Sequence, residues 1–322
     1  MYVLVREYVC KRVHADRRHL MIERRPSKHK TIRISKQTRT TVFALVVIIV
    51  IAFGSIAQNR FLFDSHSLRV WFFDIGQGDG TLIETPSGKK ILVDAGPDAS
   101  ILMKLGEVLW PWDRSLDAIV ITHPDADHIT GFVSVLRRYR VGHVYETGVI
   151  AKTAVDTEIE KLIREEQLPV TIVRIGDSIP DADVKLALVW PNDVAVLHAA
   201  GDRNNASVVI RLSYGETTAL LTGDAEEPSE KLFAPNVGPV DVLKVGHHGS
   251  ATATSQVLLD LIRPRMAVIS VGVQNKYGHP HPLILDRLMN QSIQIFRTDL
   301  QGDILMTSDS GEPMVRAYPL LF

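Results

Sequence analysis

Cysteine is almost missing from this chain of 322 residues, which contains one, Cys10. A single cysteine cannot build a disulfide framework or a thiolate cluster, so any metal site must use nitrogen and oxygen ligands. The chain also lacks an internal repeat of solenoid length and the composition of a disordered or fibrous protein. With 45% apolar residues, it has enough material for one large or two ordinary domains.

A strong net charge is missing too, since the formal charge is −1. This balance conceals a split: residues 1–40 carry twelve Lys and Arg against three Asp and Glu, which is +9, and the remainder therefore carries −10. An acidic body gains no general attraction to nucleic acid or to anionic lipid. A phosphate-bearing substrate would have to be held by metal and by a few local cations.

An uncharged run follows the basic tail. It extends from Thr40 to Asn59, close to the roughly 20 residues that a membrane-spanning helix needs. A core helix would normally have a polar face, and residues 42–53 have none. The pattern predicts a basic cytoplasmic tail at 1–40, a transmembrane or signal segment at 41–59 and a folded domain at 60–322.

The orientation of that segment follows from its positive flank, which precedes it and favours a cytoplasmic N-terminus with the folded domain across the membrane. Ser55-Ile56-Ala57 has the small-residue spacing of a signal-peptidase site. The protein is therefore expected to be anchored in the cell membrane by a single pass or secreted after cleavage. An artefact of the gene start in front of a cytoplasmic enzyme is the remaining alternative.

The densest group of potential metal ligands is the run His123-Pro124-Asp125-Ala126-Asp127-His128, directly after the apolar strand Ile119-Val120-Ile121. Carboxylates and neutral imidazoles at this density favour a cation among them. The spacing His-x-Asp-x-Asp-His suits two adjacent metal centres. The alternative is an acidic turn in which Asp127 caps the following helix.

Other polar groups also follow predicted strands: the glycine-rich loop 74–80, Asp94, Asp224, and the pair His247-His248. In a covered sheet the carboxyl ends of the strands share one rim, so these groups should converge with the central run. Two histidines behind a glycine are seldom core residues, so at least one of the pair is expected to bind metal. Asp94 is well placed to brace the neighbouring loop.

The glycine-rich loop does not have the spacing of a P-loop, and no Gly-Lys-Thr or Gly-Lys-Ser follows it. It is expected to be a hairpin turn that borders the site. A second loop, at 275–282, is restrained by Pro280 and Pro282 and contains Tyr277 and His279, which can donate to an anionic group.

These motifs together resemble the metallo-β-lactamase superfamily, and more narrowly the soluble hydrolase domain of ComEC-type competence proteins, which take up DNA. The motifs that carry the resemblance are Asp74-Ile75-Gly76-Gln77-Gly78-Asp79, the run 123–128, Leu221-Thr222-Gly223-Asp224, His247-His248-Gly249-Ser250 and Tyr277-Gly278-His279-Pro280. The match covers roughly residues 68–310. It implies an α/β fold, a four-layer αβ/βα sandwich with a dinuclear metal site at one edge.

The resemblance implies a set of metal ligands: His123, Asp125, Asp127, His128, Asp224 and His247. His123 and Asp125 would bind one metal ion, Asp127 and His128 would bind the other, and Asp224 would bridge the two ions. It implies catalytic roles for four residues: Asp127, His248, Tyr277 and His279. Supporting positions are Asp79, Asp94, Asn205 and Ser207, of which the last two occupy a slot where many members have another histidine.

The expected function is that of a metal-dependent hydrolase, a phosphodiesterase or nuclease with two divalent metal ions. Zinc is the expected metal, and manganese is the alternative. A pair of such ions lowers the pKa of a shared water to about 7, which makes a nucleophile at neutral pH. The expected substrate is a phosphodiester, with DNA as the first candidate. Two alternatives stay open: a lactone or β-lactam hydrolase, and a non-catalytic, membrane-tethered surface or DNA-binding module. The sequence does not define an oligomeric state.

Overall fold

The computed structural model describes residues 35–38, 41–48, 67–199 and 201–318. It divides into two units, residues 1–60 and residues 61–322. In the first unit, residues 36–38 and 41–48 are helical. Among the described residues, no helix combines the length and the apolar character that crossing a membrane requires. The predicted transmembrane helix thus gains no support, and residues 49–59 of that segment lie outside the described residues.

Two large sheets dominate the second unit. The strands of the first sheet are Leu68–Phe72 (β1), Gly80–Glu84 (β2), Lys90–Ala95 (β3), Ala118–Val120 (β5), Val144–Glu146 (β7), Val170–Ile172 (β8), Asp303–Ser308 (β16) and Met314–Tyr318 (β17). Their order across the sheet is β17-β16-β1-β2-β3-β5-β7-β8. Strands β3, β5, β7 and β8 run parallel, and the other neighbours pair antiparallel.

The strands of the second sheet are Ser178–Ile179 (β9), Lys185–Trp190 (β10), Val209–Tyr214 (β11), Thr217–Leu221 (β12), Val242–Lys244 (β13), Met266–Ile269 (β14) and Gln294–Arg297 (β15). They follow the order β15-β14-β13-β12-β11-β10-β9, in which β12 to β15 are parallel. A short parallel pair, Ser115–Leu116 (β4) and Arg140–Val141 (β6), lies apart from both sheets.

The helices of the described residues in this unit are Ser100–Val108 (α1), Ala126–Leu136 (α2), Ala154–Glu165 (α3), Asp193–His198 (α4), Glu227–Phe233 (α5), Gln256–Ile262 (α6), Pro282–Asn290 (α7) and Thr298–Gln301 (α8). Three of them, α1 to α3, supply apolar side chains to the outer face of the first sheet. Helices α5, α6 and α7 do the same for the second sheet.

Alternation along β1 shows how the layers are assembled. Val70 and Phe72 lie in a core shared with the inner face of the second sheet, whereas Trp71 and Phe73 pack on the outer side with the apolar residues of α1 and α2. Successive side chains of a strand point to opposite faces, so both faces of this strand are covered. The result is the αβ/βα sandwich predicted from the resemblance.

The carboxyl ends of β3 and β5 in one sheet, and of β12, β13 and β14 in the other, lie at a common edge. A hydrogen bond of 2.9 Å from the Val208 N–H to the Thr122 carbonyl joins the two sheets there. The glycine-rich loop is tied to the same edge, because the Asp79 N–H donates to the Asp127 carbonyl at 3.2 Å.

A buried ion pair supports the start of the glycine-rich loop. Asp303 Oδ1 accepts a hydrogen bond of 2.7 Å from the Asp74 N–H and lies 2.9 Å from Lys104 Nζ. Both side chains of the ion pair are almost fully buried, at 1% and 3% exposure. Asp303 therefore satisfies a buried cation and a loop amide together.

We expect Asp303→Ala to lower the free energy of unfolding by about 3–5 kcal/mol, because it leaves a buried ammonium without its partner. Urea unfolding followed by circular dichroism measures this loss. Arg137→Ala is the control, since it removes an ion pair with Glu158 at the surface, and it should leave the stability nearly unchanged. Equal effects of the two variants would contradict the assigned role.

Candidate metal centre

Asp94 braces the loop that follows β5. Its Oδ1 accepts from the Thr122 N–H at 2.9 Å, and its Oδ2 accepts from the Thr122 hydroxyl at 2.7 Å and lies 2.8 Å from His128 Nδ1. The backbone of Asp94 is left-handed, with φ of 56°, a conformation that Asp tolerates better than most residues. Because Nδ1 of His128 is engaged, its Nε2 atom is directed toward the centre of the site.

Four imidazoles surround one carboxylate. Measured from Asp224 Oδ2, the Nε2 atoms lie at 3.2 Å for His128, 3.6 Å for His248, 3.8 Å for His247 and 4.0 Å for His123. These residues come from three segments of the chain: the run 123–128, which follows β5 and enters α2, the loop after β12, and the turn after β13. The structure thus brings together groups that are up to 125 positions apart, from His123 to His248.

Several of these atoms are buried without a hydrogen-bond partner among the described residues. They are the Nε2 atoms of His123, His128 and His248, and Oδ1 of Asp224. Unpaired buried polar atoms cost free energy, and a divalent cation would satisfy them together. Imidazole nitrogen and carboxylate oxygen suit zinc and manganese. The donor set therefore fits a metal.

Four groups of three ligand atoms, each with its atoms within 4.8 Å of one another, are close enough to share a cation. These groups are His123-His128-Asp224, Asp127-His128-His248, Asp79-Asp224-His248 and Asp79-Asp94-His128. The second group includes Asp127, whose Oδ2 lies 3.4 Å from His248 Nε2. Overlap among the groups indicates one compact centre, shared by residues of both sheets.

The protonation of the cluster reflects the proximity of its charges. Burial alone would raise the pKa of Asp224, but the imidazoles of His128 and His248 hold that pKa well below its ordinary value. Burial alone would lower the pKa of His248, but the carboxylates of Asp224 and Asp79 raise it to about 10. Burial, reinforced by His128, lowers the pKa of His123. A metal ion would thus have to displace the proton from an imidazole such as that of His248.

His247 and His248 occupy different depths of the site. Both have left-handed backbones, with φ of 48° and 54°, so the turn Gly246–Gly249 presents two adjacent imidazoles. His248 is buried, and its Nδ1 lies 3.0 Å from the Ser270 carbonyl. His247 is a quarter exposed, and its Nδ1 lies 2.9 Å from Glu226 Oε1. The candidate metal groups contain His248 and not His247, a choice between the two that the sequence leaves open.

Asp79 lies deeper than its expected place at the border of the site. It is 2% exposed, forms an ion pair with Lys244 Nζ, and has Oδ1 3.3 Å from His248 Nδ1. Sequence reasoning did not identify Lys244. A lysine within an otherwise apolar buried strand was the available signal, because a buried ammonium needs a carboxylate partner.

Asp125 is engaged by a residue that sequence reasoning also missed. Its Oδ1 lies 2.5 Å from Arg203 Nε, and its Oδ2 lies 3.8 Å from His123 Nε2. Among the described residues, none of the groups able to share a cation includes Asp125. The structure thus places this expected metal ligand in an ion pair.

Asn205 and Ser207 brace the site from the loop before β11. The Ser207 hydroxyl accepts from the Asp224 N–H at 3.2 Å and lies 3.3 Å from His123 Nδ1. Asn205 Oδ1 accepts from the N–H groups of Glu226 and Ser229 at 3.2 and 3.3 Å, so its amide holds the start of α5.

An open cavity of about 210 Å³ leads to the cluster. It is lined by Gln77, Asp125, Asp127, Asp224, His247, His248, Tyr277 and His279. Tyr277 is 56% exposed and stacks on His279, with the ring centroids 5.7 Å apart. Asn275 holds this loop by donating to the His279 carbonyl at 2.6 Å. All four residues expected to be catalytic therefore line this cavity.

Comparison with known proteins identifies the family. The family model described as the metallo-beta-lactamase superfamily matches residues 74–273. This chain belongs to the metallo-beta-lactamase superfamily, a family of metal-dependent hydrolases. The resemblance deduced from the sequence motifs is confirmed.

Curated relatives include competence proteins. The chain is 32% identical over 251 residues to ComE operon protein 3 of Bacillus subtilis, covering 72% of this chain and 32% of that protein. It is 32% identical over 236 residues to Recombination protein 2 of Haemophilus influenzae, covering 72% and 28%. The chain therefore spans about a third of the length of these relatives. Among solved structures, Igni18, a metallo hydrolase of Ignicoccus hospitalis, is similar with a TM-score of 0.49 and 14% identity, covering 79% of this chain and 100% of that one.

We expect Asp94→Ala to weaken zinc binding by about 10- to 100-fold, because His128 loses the carboxylate that orients it. Competition with a chromophoric chelator measures the affinity. The control is Asp117→Ala, which removes a carboxylate that accepts from the Lys90 N–H at 2.8 Å near the other end of β3. Unchanged affinity in Asp94→Ala would show that His128 needs no such brace.

Proposed function

We propose that this protein is a metal-dependent phosphodiesterase and that DNA is its first candidate substrate. The observation that carries the proposal is the convergence of three imidazoles, each with an Nε2 atom that has no hydrogen-bond partner among the described residues, on the Asp224 carboxylate beside an open cavity. Recombination protein 2, one of the relatives named above, supports the choice of substrate, since its name refers to recombination, a process that handles DNA. For this chain, which spans about a third of their length, the activity is a proposal.

Metal would be held by a compact ligand set: His123, His128, His248, Asp127 and Asp224. A divalent ion bound there lowers the pKa of water and neutralises charge on a phosphoryl group. Asp127 is 34% exposed and reaches both the cavity and His248, so it connects the buried ligands with the substrate side.

His279 and Tyr277 act on the substrate side of the proposed site. Burial lowers the pKa of His279, and the neighbouring His247 lowers it further, so the imidazole is neutral at pH 7. A neutral imidazole can donate a hydrogen bond to a phosphate oxygen or receive a proton. Tyr277 holds the ring of His279 by stacking and is itself exposed to solvent.

We further propose that the catalytic domain is exported, either tethered by a single pass or secreted. The support for this comes from the sequence, where a tail of charge +9 precedes the uncharged stretch from Thr40 to Asn59. Protease treatment of intact cells that express the full chain would test it, because an exported domain is cleaved and an internal one is protected.

We expect the zinc- or manganese-loaded protein to release nitrophenol from bis(p-nitrophenyl) phosphate. Asp127→Asn should reduce the rate to that of chelator-treated protein, because it removes a ligand that faces the cavity. Asp260→Asn, a change at an exposed position of α6, is the matched control and should retain the wild-type rate.

Activity that survives both the chelator and Asp127→Asn would contradict the proposal. Hydrolysis of nitrocefin without hydrolysis of the phosphodiester would identify a β-lactam-type hydrolase instead. Absence of bound metal by mass spectrometry, together with binding of DNA, would identify a non-catalytic module.

A further inference from the structure

The ion pair between Asp125 and Arg203 bears on the number of metal ions. Arg203 Nε contacts Asp125 Oδ1 at 2.5 Å, and the two side chains are 37% and 29% exposed. Asp125 lines the cavity, so the guanidinium lies beside the route to the cluster. To bind a cation through that oxygen, Asp125 would have to release an arginine that already neutralises it.

Without Asp125, a metal ion next to His123 is short of ligands. His123, His128 and Asp224 together form one of the groups that could hold a single cation. Structural and catalytic zinc sites use three or four protein ligands each, and two separate ions would need more groups than this side of the site supplies.

The neighbouring loop does not supply the missing ligand. The side-chain oxygen of Asn205 already accepts hydrogen bonds from the N–H of Glu226, the residue before α5, and from the N–H of Ser229 within α5. The Ser207 hydroxyl accepts from the Asp224 N–H and lies on the Nδ1 side of His123, away from the buried Nε2. The same loop delivers Arg203, so a cationic side chain stands where a second ion would need ligands.

We propose that Arg203 takes the place of a second metal ion. The site binds one divalent cation among His123, His128, His248, Asp127 and Asp224, and the guanidinium of Arg203, held by Asp125, provides the second positive charge for an anionic substrate. The substrate part of this inference rests on the proposed phosphodiesterase function. A planar guanidinium suits the task, because it can bind phosphate oxygens through its terminal nitrogens while Nε stays on the carboxylate.

Metal stoichiometry tests the count. The full chain is loaded with excess zinc, desalted and analysed by mass spectrometry, as wild type, Asp125→Asn and Asp224→Asn. We expect about one equivalent in the wild type and in Asp125→Asn, and less in Asp224→Asn, since a metal site loses affinity with each ligand removed. Circular dichroism confirms that each variant is folded.

Two equivalents in the wild type would overturn the proposal, as would loss of zinc in Asp125→Asn, because Asp125 would then be a ligand. A wild type without zinc would overturn this inference and the proposed function together. Two equivalents in an active phosphodiesterase would overturn only the inference. One equivalent, retained in Asp125→Asn, in a protein without phosphodiesterase activity would overturn only the proposed function.

Binding of inorganic phosphate tests the charge of Arg203 without any catalytic step. Isothermal titration of the zinc-loaded protein compares Asp125→Asn with the double variant Asp125→Asn/Arg203→Gln, which differ only at the guanidinium. We expect the double variant to bind phosphate about 10-fold more weakly, the cost of losing one charge-assisted contact. Equal affinity of the two proteins would overturn the role of Arg203 in anion binding.

Discussion

The contact between the buried Asp224 carboxylate and the imidazoles around it is the constraint on which the rest of the site depends. A carboxylate that is 2% exposed can stay ionised only because positive or proton-bearing groups lie close to it. His128 and His248 do this directly, and their own Nδ1 atoms are held by Asp94 and by the Ser270 carbonyl. Each ligand is therefore positioned by a partner outside the centre, and a cation would enter a preformed cage.

Both sheets contribute to that cage. Asp94 and the loop with His123 and His128 come from the first sheet, while Asp224 and His248 come from the second. The bond between Val208 and Thr122 joins the two edges, so a shift of one sheet against the other would open the cluster. Tight packing between the inner faces of the sheets makes such a shift costly, and the geometry of the site is thus a property of the whole sandwich.

Of four carboxylates in the site, two form ion pairs with lysine or arginine, and the other two have no such pair among the described residues. Lys244 neutralises Asp79 deep below the cluster, and Arg203 neutralises Asp125 at its rim. Asp127 and Asp224 lie near the Nε2 atoms of His128 and His248, which have no hydrogen-bond partner in the described part of the chain, and both carboxylates remain available to a metal. These four carboxylates therefore do not act as one acidic patch. Their partners decide which of them can bind a cation.

The sequence by itself determined the strand-end motifs and their order, because periodicity and turn residues are local and the carboxyl ends of parallel strands share an edge. The sandwich that covers both sheets was implied by the family resemblance that those motifs carry. The sequence also located the loops that contain His123, Asp224 and the pair His247-His248. Only the tertiary structure decided that His248 lies inside and His247 at the rim, since two left-handed residues in one turn set their directions. It alone paired Arg203 with Asp125, 78 positions apart, because contacts between distant loops depend on the register of the packed sheets and leave no local pattern.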